Sequence, residues 1–207
     1  MAKDCCHVPD SAAPDAAYRK ILWWALLVNF LMFFVEITAA YVGNSTALFA
    51  DSIDFAGDAA NYGISLFVLS MHITTRAKAA LFKALCMGAF GMWVLTDAAY
   101  QAYHGIIPNA DVMGWVGFVA LVANVSVALM LYRYRDGDSN MRSVWLCTRN
   151  DAIGNLLVLF AAVGVFFLQS VWPDVVVAVI MATLGLSSAV SVIRHSRKEL
   201  ATHRDKE

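Results

Sequence analysis

Asn44-Ser45-Thr46-Ala47-Leu48-Phe49-Ala50-Asp51-Ser52-Ile53-Asp54-Phe55-Ala56-Gly57-Asp58 is the stretch on which the fold turns. Gly43-Asn44-Ser45 reads as a turn. The apolar run that follows, residues 46–71, is long enough to cross a membrane, which takes about 20 helical residues. Three carboxylates interrupt it. At about 100° per residue, Asp51, Asp54 and Asp58 fall within a wedge of roughly 60° on one helix face, and Asn61 extends the stripe. An acidic side chain at membrane depth is costly, so it marks an ion path or a proton relay by default.

Five further apolar runs lie around this one, at residues 21–42, 79–103, 112–132, 144–168 and 171–193. Together the six use most of the 207 residues. The chain is 60% hydrophobic and 15% charged, with a mean hydropathy of +0.61; a soluble domain is nearer 45–50% apolar and about 25% charged. This composition excludes a disulfide scaffold, a disordered chain and a nucleic-acid binder. The links after the third and fifth runs are short, with Pro108-Asn109 in one and Gln169-Ser170 in the other.

All 15 basic residues fall in four places. Lys3, Arg19 and Lys20 precede the first run; Arg76, Lys78 and Lys83 join the second to the third; Arg133, Arg135, Arg142 and Arg149 join the fourth to the fifth; Arg194, Arg197, Lys198, Arg204 and Lys206 close the chain. Positively charged loops stay in the cytoplasm. The expected fold is therefore all-α and integral to the membrane, with six transmembrane helices and both termini cytoplasmic. It comprises an arm (1–17), a transport domain (18–193) and a short basic tail (194–207). The first run exceeds the usual signal-peptide core of about 7–15 residues, so no cleavable signal is expected.

Six acids lie inside the spans: Glu36, Asp51, Asp54, Asp58, Asp97 and Asp151. Arg149 is the one basic residue at comparable depth, so most of these acids need protons or a bound cation. Cys147 and Asp151 form an i, i+4 pair on one face of the fifth helix, with Arg149 pointing the other way. If that face meets the acidic face of the second helix, three carboxylates and a thiolate converge near the midplane, a donor set that suits a tetrahedral divalent transition metal. Cys147 can equally be a small apolar packer. The remaining cysteines form no disulfide framework in a reducing compartment. Cys5-Cys6-His7 in the arm is either an accidental cluster or an auxiliary metal-collecting element.

The second-helix stretch quoted above resembles the signature of the cation diffusion facilitator family, proton-coupled exporters of zinc and related divalent metals. Glu36, Lys78-Ala79, Asn124, Asp151-Ala152-Ile153-Gly154-Asn155, Trp172-Pro173-Asp174 and Arg197-Lys198-Glu199-Leu200 follow the family's order over residues 18–200. The resemblance implies that Asp54 with Asp58 and Cys147 with Asp151 bind the transported ion. Asp54 stands where His is frequent, and Cys147 where His is usual; a thiolate favours Zn²⁺ and Cd²⁺ over harder ions. If Cys147 only packs, Asn150 or Asn155 supplies the fourth ligand. About 14 residues follow Ile193, which implies a short member without the family's C-terminal cytoplasmic domain. A homodimer would then form through the spans, where Ala178, Ala182, Ser187 and Ser188 permit close approach.

The expected function is export of Zn²⁺, and also Cd²⁺, across the cell membrane of a bacterium by metal:proton antiport. Asp51 serves the proton or exit path, and the partners are the metal ion, protons and lipid. No resident cofactor and no enzymatic activity are expected. The competing readings are a divalent-cation channel, a carrier for Mn²⁺, Fe²⁺ or Co²⁺, and a membrane-embedded metalloenzyme, which lacks a mid-span His to act as base.

Overall fold

The computed structural model describes the backbone of residues 16–67, 73–134 and 139–204. Among the described residues there are six helices: α1 (Ala16–Gly43), α2 (Thr46–Phe67), α3 (Ile73–His104), α4 (Ala110–Tyr132), α5 (Ser139–Leu168) and α6 (Trp172–Arg204). Each corresponds to one apolar run. Cys5, Cys6 and His7 lie outside the described residues, as do Lys3, Arg135 and Lys206. Among the described residues, five helices are long and apolar enough to cross a membrane. The sixth, α2, holds Asp51, Asp54 and Asp58 in its middle.

The helices outrun the apolar segments mainly at one end of the bundle. α1 starts at Ala16, α3 at Ile73 and α5 at Ser139, and α6 continues to Arg204. The added turns carry Arg19, Lys20, Arg76, Lys78, Arg142, Arg194 and Arg197. Arg and Lys are good helix formers, so the helix persists where hydrophobicity stops. The basic tail expected at 194–207 is thus helical as far as Arg204.

At the other end the links are tight, and each reverses through one left-handed residue: Asn44, Gly105 or Gln169. After Asn44 the Ser45 amide reaches back to the Ala40 carbonyl (3.1 Å), and after Gly105 the Ile106 amide reaches Gln101 (3.1 Å). Both are the six-to-one bond that closes a helix C-terminus, and the Gln169 amide makes the related five-to-one bond to Val165. Two of these turns are tied together, because the Asn109 amide donates to the Gly43 carbonyl at 2.8 Å. Asn109 then caps α4, accepting from the amides of Asp111 and Val112. A Cβ on Gly43 would come within 3.1 Å of the Val112 side chain, so the two links pack closely here.

α1, α2, α5 and α4 pack in a closed ring, each against the next, while α3 and α6 form a close pair beside it that leans on α2 and α5. α2 touches four neighbours, α1, α3, α5 and α6. The core is layered along the bundle. Small residues such as Ala39, Ala47, Ala161 and Ala178 pack with Leu48 and Val158 near the tight turns. Met32, Phe55 and Ala120 fill the middle of the ring. Tyr18, Leu22, Tyr62, Val127 and Leu131 close the basic end. Ala178 and Ala182, expected to serve a dimer contact, are consumed in the protomer's own core, whereas Ser187 remains exposed.

The surface inverts the usual distribution of polarity. Trp24, Phe34, Trp93, Phe160, Phe167 and Leu184 are exposed, whereas Asn29, Glu36, Asp51, Asp58, Asn124 and Asn155 are buried. An apolar exterior around a polar interior is stable in hydrocarbon and not in water. The fold is that of a multi-pass membrane protein.

One buried acid is fully accounted for. Asp174, in the first turn of α6 and 0% exposed, accepts from the Ser45 hydroxyl (2.6 Å), the Thr46 hydroxyl (2.7 Å) and the amides of Thr46 (2.8 Å) and Ala47 (3.2 Å). It caps α2 from another helix, satisfying amides that have no partner within α2 and placing a carboxylate at its positive end. Ser45 adds a local cap through the Leu48 amide at 3.1 Å. We expect Asp174→Ala to lose about 2–4 kcal/mol, since it removes a charged cap and strands its buried donors. Thermal unfolding of the detergent-solubilised protein, followed by helical circular dichroism, measures this. Asp111→Ala, at an exposed position in the first turn of α4, serves as the control, and an equal midpoint for the two variants would show that the cap does not hold α2.

Candidate metal site

α2 presents its acids in the order Asp51, Asp54, Asp58 from the tight-turn end, and α5 runs past it with Asp151. Asp58 and Asp151 lie within hydrogen-bonding reach of each other across the two helices. Asp54 sits beside both Asp51 and Asp58 and near Asp151. The acids of α2 and α5 thus face one another across the two helices. Cys147 is in the helical part of α5, but its side chain lies outside the described residues. Among the described residues, no three His, Cys, Asp or Glu side chains are gathered into a ready coordination shell.

Two hydroxyls complete the network on the basic-end side of these acids. Tyr62, one turn beyond Asp58 and 2% exposed, donates its hydroxyl to Asp58 Oδ2 at 3.2 Å. The Tyr62 hydroxyl oxygen is also 2.7 Å from Thr148 Oγ1 on α5. When Tyr62 donates to Asp58, Thr148 is the donor to Tyr62. A hydrogen-bond chain thus runs from α5 through Tyr62 to the acid of α2. Sequence reading missed both residues, although the i+4 spacing from Asp58 to Tyr62 and the i−3 spacing from Asp151 to Thr148 place them on the acidic faces.

The two candidate auxiliary asparagines separate cleanly. Asn150 is exposed and accepts from Arg149 at 3.2 Å. Arg149 itself stacks over Trp145, with 5.4 Å from its guanidinium carbon to the ring centroid. Asn155 is 0% exposed, one turn from Asp151 on the same face, and neither its Oδ1 nor its Nδ2 has a partner. Asp151 Oδ2 and Asn124 Oδ1 are also without a partner. Buried polar atoms are normally satisfied, so this concentration of unsatisfied ones in the ring distinguishes it from a structural core. Asp97 lies apart on α3, where Gln101 donates to it at 3.0 Å.

Glu36 of α1 is fully buried and faces Asp51, within hydrogen-bonding reach. Neither Glu36 oxygen nor Asp51 Oδ2 has a donor. The sequence marks Glu36 as an intramembrane acid but carries no signal for its partner, which lies on another helix.

The family model for the cation efflux transmembrane domain matches residues 22–201. A curated relative from Bacillus subtilis, named cadmium, cobalt and zinc/H⁺-K⁺ antiporter, is 26% identical over 204 residues, covering 88% of this chain and 63% of its own length. A relative of the same name from Bacillus velezensis is 23% identical over 189 residues, covering 83% of this chain and 60% of its own length. The chain spans about three fifths of the length of these relatives. With the family model matching nearly the whole helical bundle, the chain belongs to the cation efflux family, the cation diffusion facilitators.

Proposed function

We propose that the protein exports a divalent transition-metal ion, Zn²⁺ and also Cd²⁺, in exchange for protons, through a site made by Asp54 and Asp58 of α2 with Cys147 and Asp151 of α5. The observation that supports this reading is the approach of Asp58 on α2 to Asp151 on α5, with Asp54 nearby, inside a ring of apolar helices. The names of the two Bacillus relatives, which specify cadmium, cobalt and zinc against protons and potassium, support it as far as the metals and protons go. The protein is a carrier and not an enzyme. It spans a bacterial cell membrane six times, α2 included, with both termini in the cytoplasm. Dimerisation through the spans would use the face of α6 that carries Ser187.

Carboxylates and a thiol hold metal only when deprotonated, so metal and protons compete for the same atoms. Facing the cytoplasm, the site loads metal; facing outward, protons arriving past Asp51 expel it, and the protonated site returns by rocking of helices about the midplane. Tyr62 fixes the orientation of Asp58, as a hydrogen-bond donor behind a ligand does. The Cys5-Cys6-His7 arm raises the local metal concentration at the entrance.

A second reading rests on Asn155, which is buried beside Asp151 with both polar atoms free. Were it the fourth ligand in place of Cys147, the donor set would be all oxygen or amide and would favour Mn²⁺, Fe²⁺ or Co²⁺.

Uptake of a panel of divalent ions into proteoliposomes, with and without a pH gradient, tests the main reading. Asp58→Ala and Asp151→Ala should each reduce gradient-driven Zn²⁺ uptake about 100-fold or more while the protein still inserts, because each removes one of four ligands. Wild-type uptake in either variant would break the two-helix site, and flux that ignores the pH gradient would favour a channel.

Cys147→Ser should depress Cd²⁺ uptake more than Zn²⁺ uptake, since a hard hydroxyl replaces a soft thiolate. An unchanged Cd²⁺-to-Zn²⁺ ratio would transfer the fourth position to Asn155.

Tyr62→Phe keeps the ring in its apolar cluster and removes only the hydroxyl. Zn²⁺ affinity should fall about 10-fold with one ion still bound per site, as read by calorimetry. Equal affinity would show that the Tyr62 contact does not orient Asp58.

A further inference from the structure

α1 and α4 run antiparallel along a seam whose register is fixed at both ends by direct contacts. At the basic end the rings of Tyr18 and Tyr134 meet with centroids 5.0 Å apart. At the other end the Asn109 amide donates to the Gly43 carbonyl at 2.8 Å. Between these contacts the buried residues follow Tyr18 and Tyr134 in steps of seven: Ala25 shares a core cluster with Val127, Met32 with Ala120, and Ala39 with Met113. A second buried line runs about one turn on from each pair. It sets Leu22 beside Leu131, both in one cluster, and the same register sets Asn29 beside Asn124. Asn29 is 1% exposed and Asn124 2%.

The seam between α4 and α5 is placed by contacts too. A Cβ on Gly117 would lie 3.3 Å from Val158. About two turns on from Gly117 is Asn124, and about two turns back from Val158 is Asp151. Further along, the Tyr132 and Trp145 rings meet at 6.0 Å, which keeps that register. Asn124 therefore stands between Asn29 of α1 and Asp151 of α5. Counted from the tight-turn end, it lies about four turns into α4, against a little over three turns for Asp58 in α2.

The polar atoms of these residues are left over in a complementary way. Asn29 Nδ2 donates to the Ala25 carbonyl at 2.8 Å. Only the amide nitrogen can donate to a carbonyl, so Oδ1 is the free end, and it has no partner among the described residues. Asn124 Oδ1 has none either, nor has Asp151 Oδ2. Asparagines that only join membrane helices hydrogen-bond across the interface, whereas here both oxygens stay unmatched. One arrangement satisfies all three groups. Asn124 donates from Nδ2 to Asn29 Oδ1 and turns its own oxygen toward α5, where a cation held by Asp151 completes it. An outer partner that accepts from a ligand and fixes its orientation is the usual support of a metal ligand.

We propose that α4 supplies a further ligand to the transported ion, the neutral oxygen of Asn124, which Asn29 across the α1–α4 seam holds in place. This ligand rests on the metal site proposed above and adds to it a third helix and a donor without charge. Four ligands complete a tetrahedral ion, and a fifth suits ions that accept more than four. Asn124 thus tilts the balance toward ions such as Co²⁺ relative to Zn²⁺, with Asn29 as its positioning residue.

Visible absorption of bound Co²⁺ tests this, because it is strong for a four-coordinate ion and weak for five or six ligands. Co²⁺ is titrated into purified, detergent-solubilised protein, with Asp58→Ala as the blank for metal held elsewhere, as by Cys5, Cys6 and His7. Calorimetry reads the affinities for Co²⁺ and Zn²⁺. The wild type should absorb weakly. Asn124→Leu, similar in size and without the oxygen, should still bind; its absorption per Co²⁺ should rise several-fold and its Co²⁺ affinity fall about 10-fold, with a smaller loss for Zn²⁺. Asn29→Leu should move the spectrum the same way by less, which a loss of packing alone would not do. Asn124→Asp keeps an oxygen and should keep the weak spectrum, and it decides the matter if Asn124→Leu does not fold. Strong four-coordinate absorption in the wild type or in Asn124→Asp would overturn the proposal, as would an unchanged spectrum in Asn124→Leu. If the wild type binds neither ion, or Asp58→Ala binds both equally well, the two-helix site fails and this ligand with it, an outcome read from binding and not from the spectrum.

Discussion

The bundle has to keep carboxylates in a place where water cannot solvate them, and it does so in two opposite ways. Asp174 receives four donors from Ser45, Thr46 and Ala47, so burial there is offset by charge-assisted bonds and a helix terminus. Glu36 receives none from any neighbour, and Asp151 has an oxygen with no partner. From the tight-turn end that Asp174 occupies, Glu36 lies about two turns down its helix and Asp151 between about four and five. Asp174 is completed by protein donors, and Asp58 has the Tyr62 hydroxyl, whereas Glu36, Asp51 and Asp151 each keep a buried oxygen without one. Buried polar atoms are normally satisfied, so the unsatisfied ones set the ring apart from the cap at its end.

Much of this was legible in the chain. The six helices follow from six apolar runs, and the acidic face of α2 follows from the spacing of Asp51, Asp54 and Asp58 alone. What spacing could not supply was any pairing across helices. Asp174 reads as an acid opening α6, yet it is the cap of α2, some 128 residues distant in sequence. Glu36 reads as an isolated acid, yet its partner is Asp51. Tyr62 and Thr148 read as ordinary residues, because a hydroxyl has a role only once its acceptor is placed. Boundaries slipped at the basic end for a different reason: hydrophobicity measures the thickness of the membrane, and helix propensity continues through Arg and Lys beyond it.

The ring of α1, α2, α5 and α4 also explains why α2 can carry three acids in its middle. It touches four neighbours, so its surface need not face lipid and its acids can be carried without exposing charge to hydrocarbon. α1 and α4 instead turn Trp23, Phe34, Trp115 and Leu129 outward. A polar stripe is tolerable only on the helix with the most protein around it, which is where the stripe is found.

The two ends of α2 are tied by different chemistry. At the tight-turn end four hydrogen bonds to one carboxylate join α2 to α6, each worth about 1.5–3 kcal/mol when its partner is charged. Toward the basic end the hydroxyls of Tyr62 and Thr148 meet between α2 and α5, and a contact between neutral groups is worth about 1 kcal/mol. Both ends also have an apolar cluster of their own, so packing is common to the two and the charge of the partner group is what sets the first turn of α2 apart.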